Sequence, residues 1–158
     1  LKHLAAKVGK RLEASGGMLV TAESCTGGWV SQVVTAVPGS SAWFERGFVT
    51  YANAAKQEML GVRKSTLKKH GAVSEETARE MAKGALRRSG GTLAVAVTGI
   101  AGPSGGSDAK PVGTVCFAFA TSRRISSETR HFKGNRESVR RQSVVRALEG
   151  LLETLTRA

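Results

Sequence analysis

Acidic and imidazole side chains are scarce in this chain. Asp108 is the only aspartate among 158 residues, and the three histidines, His3, His70 and His131, are far apart. A Ser-His-Asp triad would have to draw on Asp108 or a glutamate, and His3 falls in a helix that reads as surface. A carboxylate-rich metal site is short of ligands, and no Cys/His pair has zinc spacing. An enzyme built on this sequence needs a base other than the usual histidine. Cysteines number only two, Cys25 and Cys116, which makes no disulfide framework and points to a reducing cytoplasm. No apolar run approaches the ~20 residues of a membrane span. No signal-peptide pattern is visible, although a chain that starts at Leu1 leaves room for residues upstream. Aromatics make up only 5%, and the basic residues are scattered as pairs such as Lys68-Lys69 and Arg140-Arg141. The formal charge of +12 therefore suits solubility, adhesion to polyanions or a phosphorylated substrate better than dedicated nucleic-acid binding.

What is present reads as one α/β domain over 1–158, long enough for a real core. Leu1, Leu4, Ala5, Val8 and Leu12 repeat at helical spacing up to Gly16-Gly17. Met18 to Ala22 reads as a strand, and an amphipathic segment from Trp29 to Val37, capped by Thr26 or a neighbour, as a helix. Phe44 to Tyr51 reads as a strand and Ala54 to Leu60 as a short helix. Ser74 caps a further helix with Glu75 and Glu76 in its first turn. Leu93 to Val97 is fit for a buried central strand. Val112 to Ala120 and a more polar Glu128 to Phe132 read as strands, and Arg136 to Leu155 as the last helix. This alternation predicts a three-layer α/β/α sandwich with a mixed, mostly parallel sheet.

Three segments could carry chemistry. Glu23-Ser24-Cys25-Thr26-Gly27-Gly28 joins a strand to a helix, placing Ser24 and Cys25 where free backbone N–H groups favour negative charge. It lacks the Gly-x-Ser-x-Gly of a nucleophile elbow. From the residues alone, Ser24 reads equally as a nucleophile or a helix cap, and Cys25 is a rival nucleophile. In Tyr51-Ala52-Asn53-Ala54-Ala55-Lys56, the lysine lies among alanines. Apolar surroundings favour its neutral form and would let it act as a base, although a solvated helix lysine fits the same pattern. There is no Ser-x-x-Lys, so a Ser–Lys pair would have to be assembled by the fold. The third segment, Thr98 and the loop Gly99 to Gly106, follows the central strand, where open α/β sheets bind ligands. It is neither a Rossmann fingerprint nor a Walker loop.

Taken together, Thr21 to Gly28, Pro38-Gly39-Ser40-Ser41, His70 to Ser74, Val97 to Pro103 and Lys110 to Val115 resemble the CinA C-terminal domain family in order and spacing. The stretch Ser41 to Tyr51 is most similar to its stand-alone members, which are nicotinamide mononucleotide (NMN) amidohydrolases. The amino-terminal nucleotide-processing domain of longer CinA proteins has no counterpart in this sequence. The resemblance implies hydrolysis of the NMN carboxamide to nicotinate mononucleotide and ammonia, a step of pyridine nucleotide recycling. It implies Ser24 as nucleophile, Lys56 as its base, Tyr51 as a helper in proton transfer, and a role for Arg136 and Arg140. Backbone N–H groups near Thr26, Gly27 and Gly28 are expected to hold the oxyanion. Thr98, Gly99, Gly102 and Gly105, with Arg136 or Arg140, are expected to hold the phosphate. No metal or organic cofactor is called for, and a cytoplasmic homo-oligomer is the expected setting. The family segment usually reads Tyr-Ser-Asn-Glu-Ala-Lys and Gly-Asp-Arg; Ala52, Ala54 and Asn135 depart from it. The competing readings are a non-catalytic, competence-related or DNA-associated module and an amidohydrolase acting on a related nucleotide.

Overall fold

Side-chain alternation along the central strands sorts the core into two layers. In the computed structural model, which describes residues 1–157, the strands are β1 (Leu19–Glu23), β2 (Phe44–Val49), β3 (Leu93–Gly99), β4 (Thr114–Ala120) and β5 (Ile125–His131). They form one sheet in the order β2-β1-β3-β4-β5. β1 pairs in parallel with both β2 and β3, β4 runs antiparallel to β3, and β5 antiparallel to β4. Leu19, Leu93, Val95, Val97, Val115, Phe117 and Phe119 point to one face. There they meet helices α1 (Lys2–Ser15), α2 (Trp29–Thr35) and α6 (Arg136–Arg157). Val20, Ala22, Ala94, Ala96, Cys116, Ala118 and Ala120 point to the other and meet α3 (Asn53–Leu60) and α5 (Glu75–Arg87). The second layer is alanine against alanine, with Ala78, Ala82 and Ala85 of α5 on the small sheet residues. Small side chains let helix and sheet approach closely. The same economy brings α5 against the end of α3: a Cβ on Gly84 would collide with the backbone carbonyl of Leu60. The result is the three-layer α/β/α sandwich with a mixed sheet.

Three features differ from the sequence expectation. A sixth helix, beyond the five expected, is α4 (Lys64–His70), which lies between α3 and α5 in a stretch whose only apolar residue is Leu67. It carries too little periodic apolar signal to be read in advance. The last sheet strand begins earlier, at Ile125, because Ser126 and Ser127 pair with β4 despite their polarity. The cap of α2 is also not Thr26. Gly28 occupies the N-cap position without a side chain to offer, and the buried Glu23 carboxylate takes its place. Glu23 Oε1 accepts from Val30 N–H (2.9 Å) and Thr26 Oγ1 (2.6 Å), and Oε2 from Ser31 N–H (3.0 Å) and Ser31 Oγ (2.7 Å). No helix among the described residues is long and apolar enough to cross a membrane.

Candidate active site

The C-terminal ends of the three adjacent parallel strands converge, which is where open α/β sheets place their ligand sites. Ser24 follows β1, Thr50 and Tyr51 follow β2, and Thr98 and Gly99 close β3. Ser24, Tyr51, Thr98 and Gly99 line a cavity of about 210 Å³ together with Cys25, Asn53, Lys56, Ala72, Val73, Ala101 and Arg136. Ser24 is held by its own backbone, whose N–H donates to Val97 O at 2.9 Å across the sheet. Its hydroxyl stays at the cavity edge, the residue being 7% exposed.

Lys56, on the second turn of α3, is 1% exposed and is the bulkiest fully buried side chain. Its Nζ lies 3.0 Å from Ser24 Oγ, 3.0 Å from Thr50 O and 2.9 Å from Tyr51 O. No carboxylate forms a salt bridge with it among the described residues. Burial pushes its pKa down from the usual lysine value, opposed only by the neighbouring Cys25 sulfur. A neutral amine has two N–H donors and one lone pair. In that form the two carbonyl oxygens would take the donors and the lone pair would face Ser24 Oγ. The thiol beside it is in the opposite condition. Burial pushes Cys25 up to about 12, with its own backbone N–H working the other way and Glu23 adding to the rise. A thiol with that pKa is protonated at neutral pH and is not a nucleophile.

The sequence matches the CinA C-terminal domain family over residues 1–155. The chain belongs to that family. It is 57% identical over 152 residues to the nicotinamide-nucleotide amidohydrolase PncC of Escherichia coli strain K12, covering 96% of this chain and 92% of that protein. It is 53% identical over 150 residues to the protein of the same name from Pseudomonas putida, covering 95% and 94%. Among solved structures, the competence/damage inducible protein CihA from Agrobacterium tumefaciens superposes with a TM-score of 0.94 at 46% identity, covering 98% of this chain and 94% of that one.

The remaining residues singled out from this CinA-domain sequence are distributed unevenly. Tyr51 and Arg136 face each other at the cavity mouth, with Arg136 Nη2 3.3 Å from the phenolic oxygen and Nη1 2.8 Å from Gly102 O. Arg140 is turned to the backbone instead: Nε donates to Cys25 O and Nη2 to Thr26 O, both at 3.1 Å, and its guanidinium lies over the Trp29 ring. It fixes the segment after Ser24 and does not line the cavity. Thr26, Gly27 and Gly28 do not line it either. Gly27 N–H is taken by Ser24 O at 3.0 Å, which removes it as an oxyanion donor, and Thr26 Oγ1 is committed to Glu23. Because Glu23 occupies the N-terminus of α2, the helix end expected to favour charge at Ser24 already holds a carboxylate. Thr98 lines the cavity but gives its hydroxyl to Ala72 O at 2.8 Å. Gly99 lines it, while Gly102 and Gly105 do not, although Gly102 O accepts from Arg136 at the mouth.

Asn53, Ala72 and Val73 line the cavity without having been assigned a role from sequence. Ala72 and Val73 belong to the His70 to Ser74 motif, so the signal was present as a motif without a chemical side chain. All three departures from the family pattern fall at helix starts. Ala52 is the N-cap of α3 and offers no side-chain bond, and Ala54 follows in the first turn. The usual serine and glutamate there are helix-start stabilisers by position. Asn135 still caps α6, its Oδ1 accepting from Ser138 N–H at 2.9 Å, as an aspartate would. His70 and His131, remote in sequence, line a second, larger cavity of about 570 Å³ between α5 and strands β4 and β5, which shares Val73 with the Ser24 cavity. No cluster of three or more His, Cys, Asp or Glu that could hold a metal occurs among the described residues.

Proposed function

We propose that this chain hydrolyses the carboxamide of nicotinamide mononucleotide to nicotinate mononucleotide and ammonia. The observation that supports the chemistry best is the 3.0 Å approach of Lys56 Nζ to Ser24 Oγ, inside a buried cage of two carbonyls and without a carboxylate partner. The substrate class comes from the amidohydrolase name of relatives that align along nearly the whole chain. In this reading neutral Lys56 takes the Ser24 hydroxyl proton as Oγ attacks the carboxamide carbon. The oxyanion forms beside the turn after Ser24, where Gly27 N–H is committed to Ser24 O and the backbone N–H groups of Cys25 and Thr26 are the remaining candidates. A good donor of this type contributes roughly 3–4 kcal/mol. The C–N bond breaks as the leaving nitrogen receives a proton from Lys56 or Tyr51 and departs as ammonia. Water, deprotonated by Lys56, then attacks the acyl carbon, and Ser24 recovers its proton as nicotinate mononucleotide leaves. In this reading Arg136, at the mouth, is the cation that meets the phosphate. The setting we infer is the cytoplasm.

Ammonia release from NMN by wild-type protein, Ser24→Ala, Lys56→Ala and Cys25→Ser tests this reading. Wild type and Cys25→Ser should turn over, and the other two should lose at least about 10³-fold. Failure of clean wild-type protein to release ammonia removes the proposed reaction. Full activity in Ser24→Ala removes the serine mechanism.

A further inference from the structure

We propose that Arg136 couples the two ends of the substrate: capture of a phosphate monoester by its guanidinium releases the Tyr51 hydroxyl for proton transfer at the carboxamide. The inference rests on the reaction proposed above.

Arg136 opens α6, and Tyr51 follows β2, eighty-five positions away in sequence. The guanidinium bridges the cavity mouth, giving one N–H to Gly102 O at 2.8 Å and another to the Tyr51 phenol at 3.3 Å. Both acceptors are neutral, and no salt bridge engages Arg136 among the described residues. The strongest acceptor this cation can meet is therefore one that a ligand brings. Its contact to the phenol is at the long end for a hydrogen bond, whereas charge-assisted bonds from guanidinium to phosphate are shorter and about twice as strong as neutral ones. An arriving phosphate displaces the phenol.

Tyr51 is built to respond. Its backbone carbonyl accepts from Lys56 Nζ at 2.9 Å, but the residue is 60% exposed and Arg136 is the only hydrogen-bond partner of its side chain among the described residues. The ring can turn about its side-chain torsions without disturbing the amine. Once released, the phenol gives its proton to the leaving nitrogen as the C–N bond breaks and takes one back from the Lys56 ammonium, which holds the proton removed from Ser24. Arg136 is thus a positioning residue for Tyr51 as well as the contact to phosphate.

The test compares NMN with nicotinamide riboside, the same molecule without phosphate, and adds inorganic phosphate in trans. Wild-type protein should hydrolyse the riboside slowly, and phosphate should raise that kcat roughly 3- to 10-fold, the scale of releasing one exposed hydrogen bond. The activation should vanish in Tyr51→Phe and in Arg136→Gln. Without phosphate, Arg136→Gln should hydrolyse the riboside faster than wild type, while its kcat/KM for NMN falls roughly 10- to 150-fold. Arg136→Lys, which keeps the charge but not the two-pronged fork, should retain part of the NMN affinity and also gain riboside turnover. Phosphate that competes with NMN but never activates the riboside, slower riboside turnover in Arg136→Gln, or no riboside turnover under any condition would reduce Arg136 to an anchor and overturn the coupling while NMN hydrolysis stands. Wild-type protein inactive on NMN would instead overturn the reaction itself.

Discussion

Replacing Glu23 tests how the nucleophile is held. The carboxylate is buried at the end of β1 and receives four hydrogen bonds, two from the backbone N–H groups that open α2 and two from the hydroxyls of Thr26 and Ser31. In Glu23→Ala the hydroxyls can turn elsewhere; Ser31 Oγ already lies 2.7 Å from Thr21 Oγ1. The N–H groups of Val30 and Ser31 cannot, and each buried orphan costs about 1–3 kcal/mol. Burial of the carboxylate had its own desolvation cost, which the substitution relieves. The net expected loss is about 3–5 kcal/mol, a large share of the roughly 5–15 kcal/mol that holds a domain folded. A seven-residue helix cannot supply this from within, since isolated helices need about 12–15 residues to persist. Glu23→Gln keeps one oxygen to accept from one of the two N–H groups but turns an amide NH₂ against the other, so it should lose about 1–2 kcal/mol. Urea unfolding gives the midpoints, and ammonia release measured in conditions where each variant is folded gives the turnover. Both should rank wild type above Gln and Gln above Ala, with kcat falling beyond what the unfolded fraction explains, because Ser24 is the next residue. Equal midpoints for Gln and Ala, or a loss under about 1 kcal/mol in Ala, would refute the account.

Ala52→Ser restores a side chain at the N-cap of α3 and should raise stability by about 1 kcal/mol without changing kcat, read from thermal melts and steady-state rates. Cys25, with its thiol pushed up to about 12, should resist iodoacetamide at neutral pH in the native protein and react only on unfolding, as mass spectrometry would report. Lys56→Met removes a buried amine and should abolish turnover while leaving the fold as stable or more so. The sign with pH follows from its lowered pKa. Below the folded-state pKa both states are protonated and the burial penalty is full, and it fades as pH rises toward about 10.4, the value in the unfolded chain. The stability gain of Lys56→Met over wild type should therefore shrink as pH rises through that window in urea titrations. The wild-type rate should climb with pH through the same depressed pKa.

The layers of the fold were legible because they rest on repetition. Leu93 to Val97 and the apolar run after Val112 mark strands buried on both faces, and Leu148, Leu151 and Leu155 mark the long final helix. α4 was not legible, since Lys64 to His70 is nearly all polar. Within the site, the scarcity of Asp and His led to Lys56, and the family resemblance paired it with Ser24. The commitments of the backbone could not be read. No sequence pattern shows that Gly27 N–H closes a turn on Ser24 O, or that Arg140 spends its fork on Cys25 O and Thr26 O while Arg136 keeps to the cavity mouth. Both arginines lie in the first turns of one helix, and only its orientation over the sheet separates their roles. Glu23 was read as part of a polar turn; its work as a cap depends on a strand end meeting a helix start, a relation of tertiary structure.

The cage around Lys56 also bears on how one amine could serve as base twice in each cycle. A protonated lysine has three N–H donors, and the cage offers three acceptors, Thr50 O, Tyr51 O and Ser24 Oγ. A neutral lysine has two donors and a lone pair, and the same three atoms satisfy it if the Ser24 hydroxyl turns to donate. The two protonation states thus differ by the rotation of one hydroxyl hydrogen and need no movement of heavy atoms. In the proposed reaction that economy matters more than the depth of the pKa shift. The burial that lowers the amine's pKa would be a liability if the ammonium formed in mid-reaction were left unsatisfied, because an uncompensated buried charge costs several kcal/mol. The two carbonyls remove that cost. A carboxylate in their place would also satisfy the ammonium, but it would hold the proton and raise the pKa, leaving the amine charged at rest. Neutral backbone oxygens stabilise the charged intermediate without fixing the charge, which is the condition a lysine base has to meet.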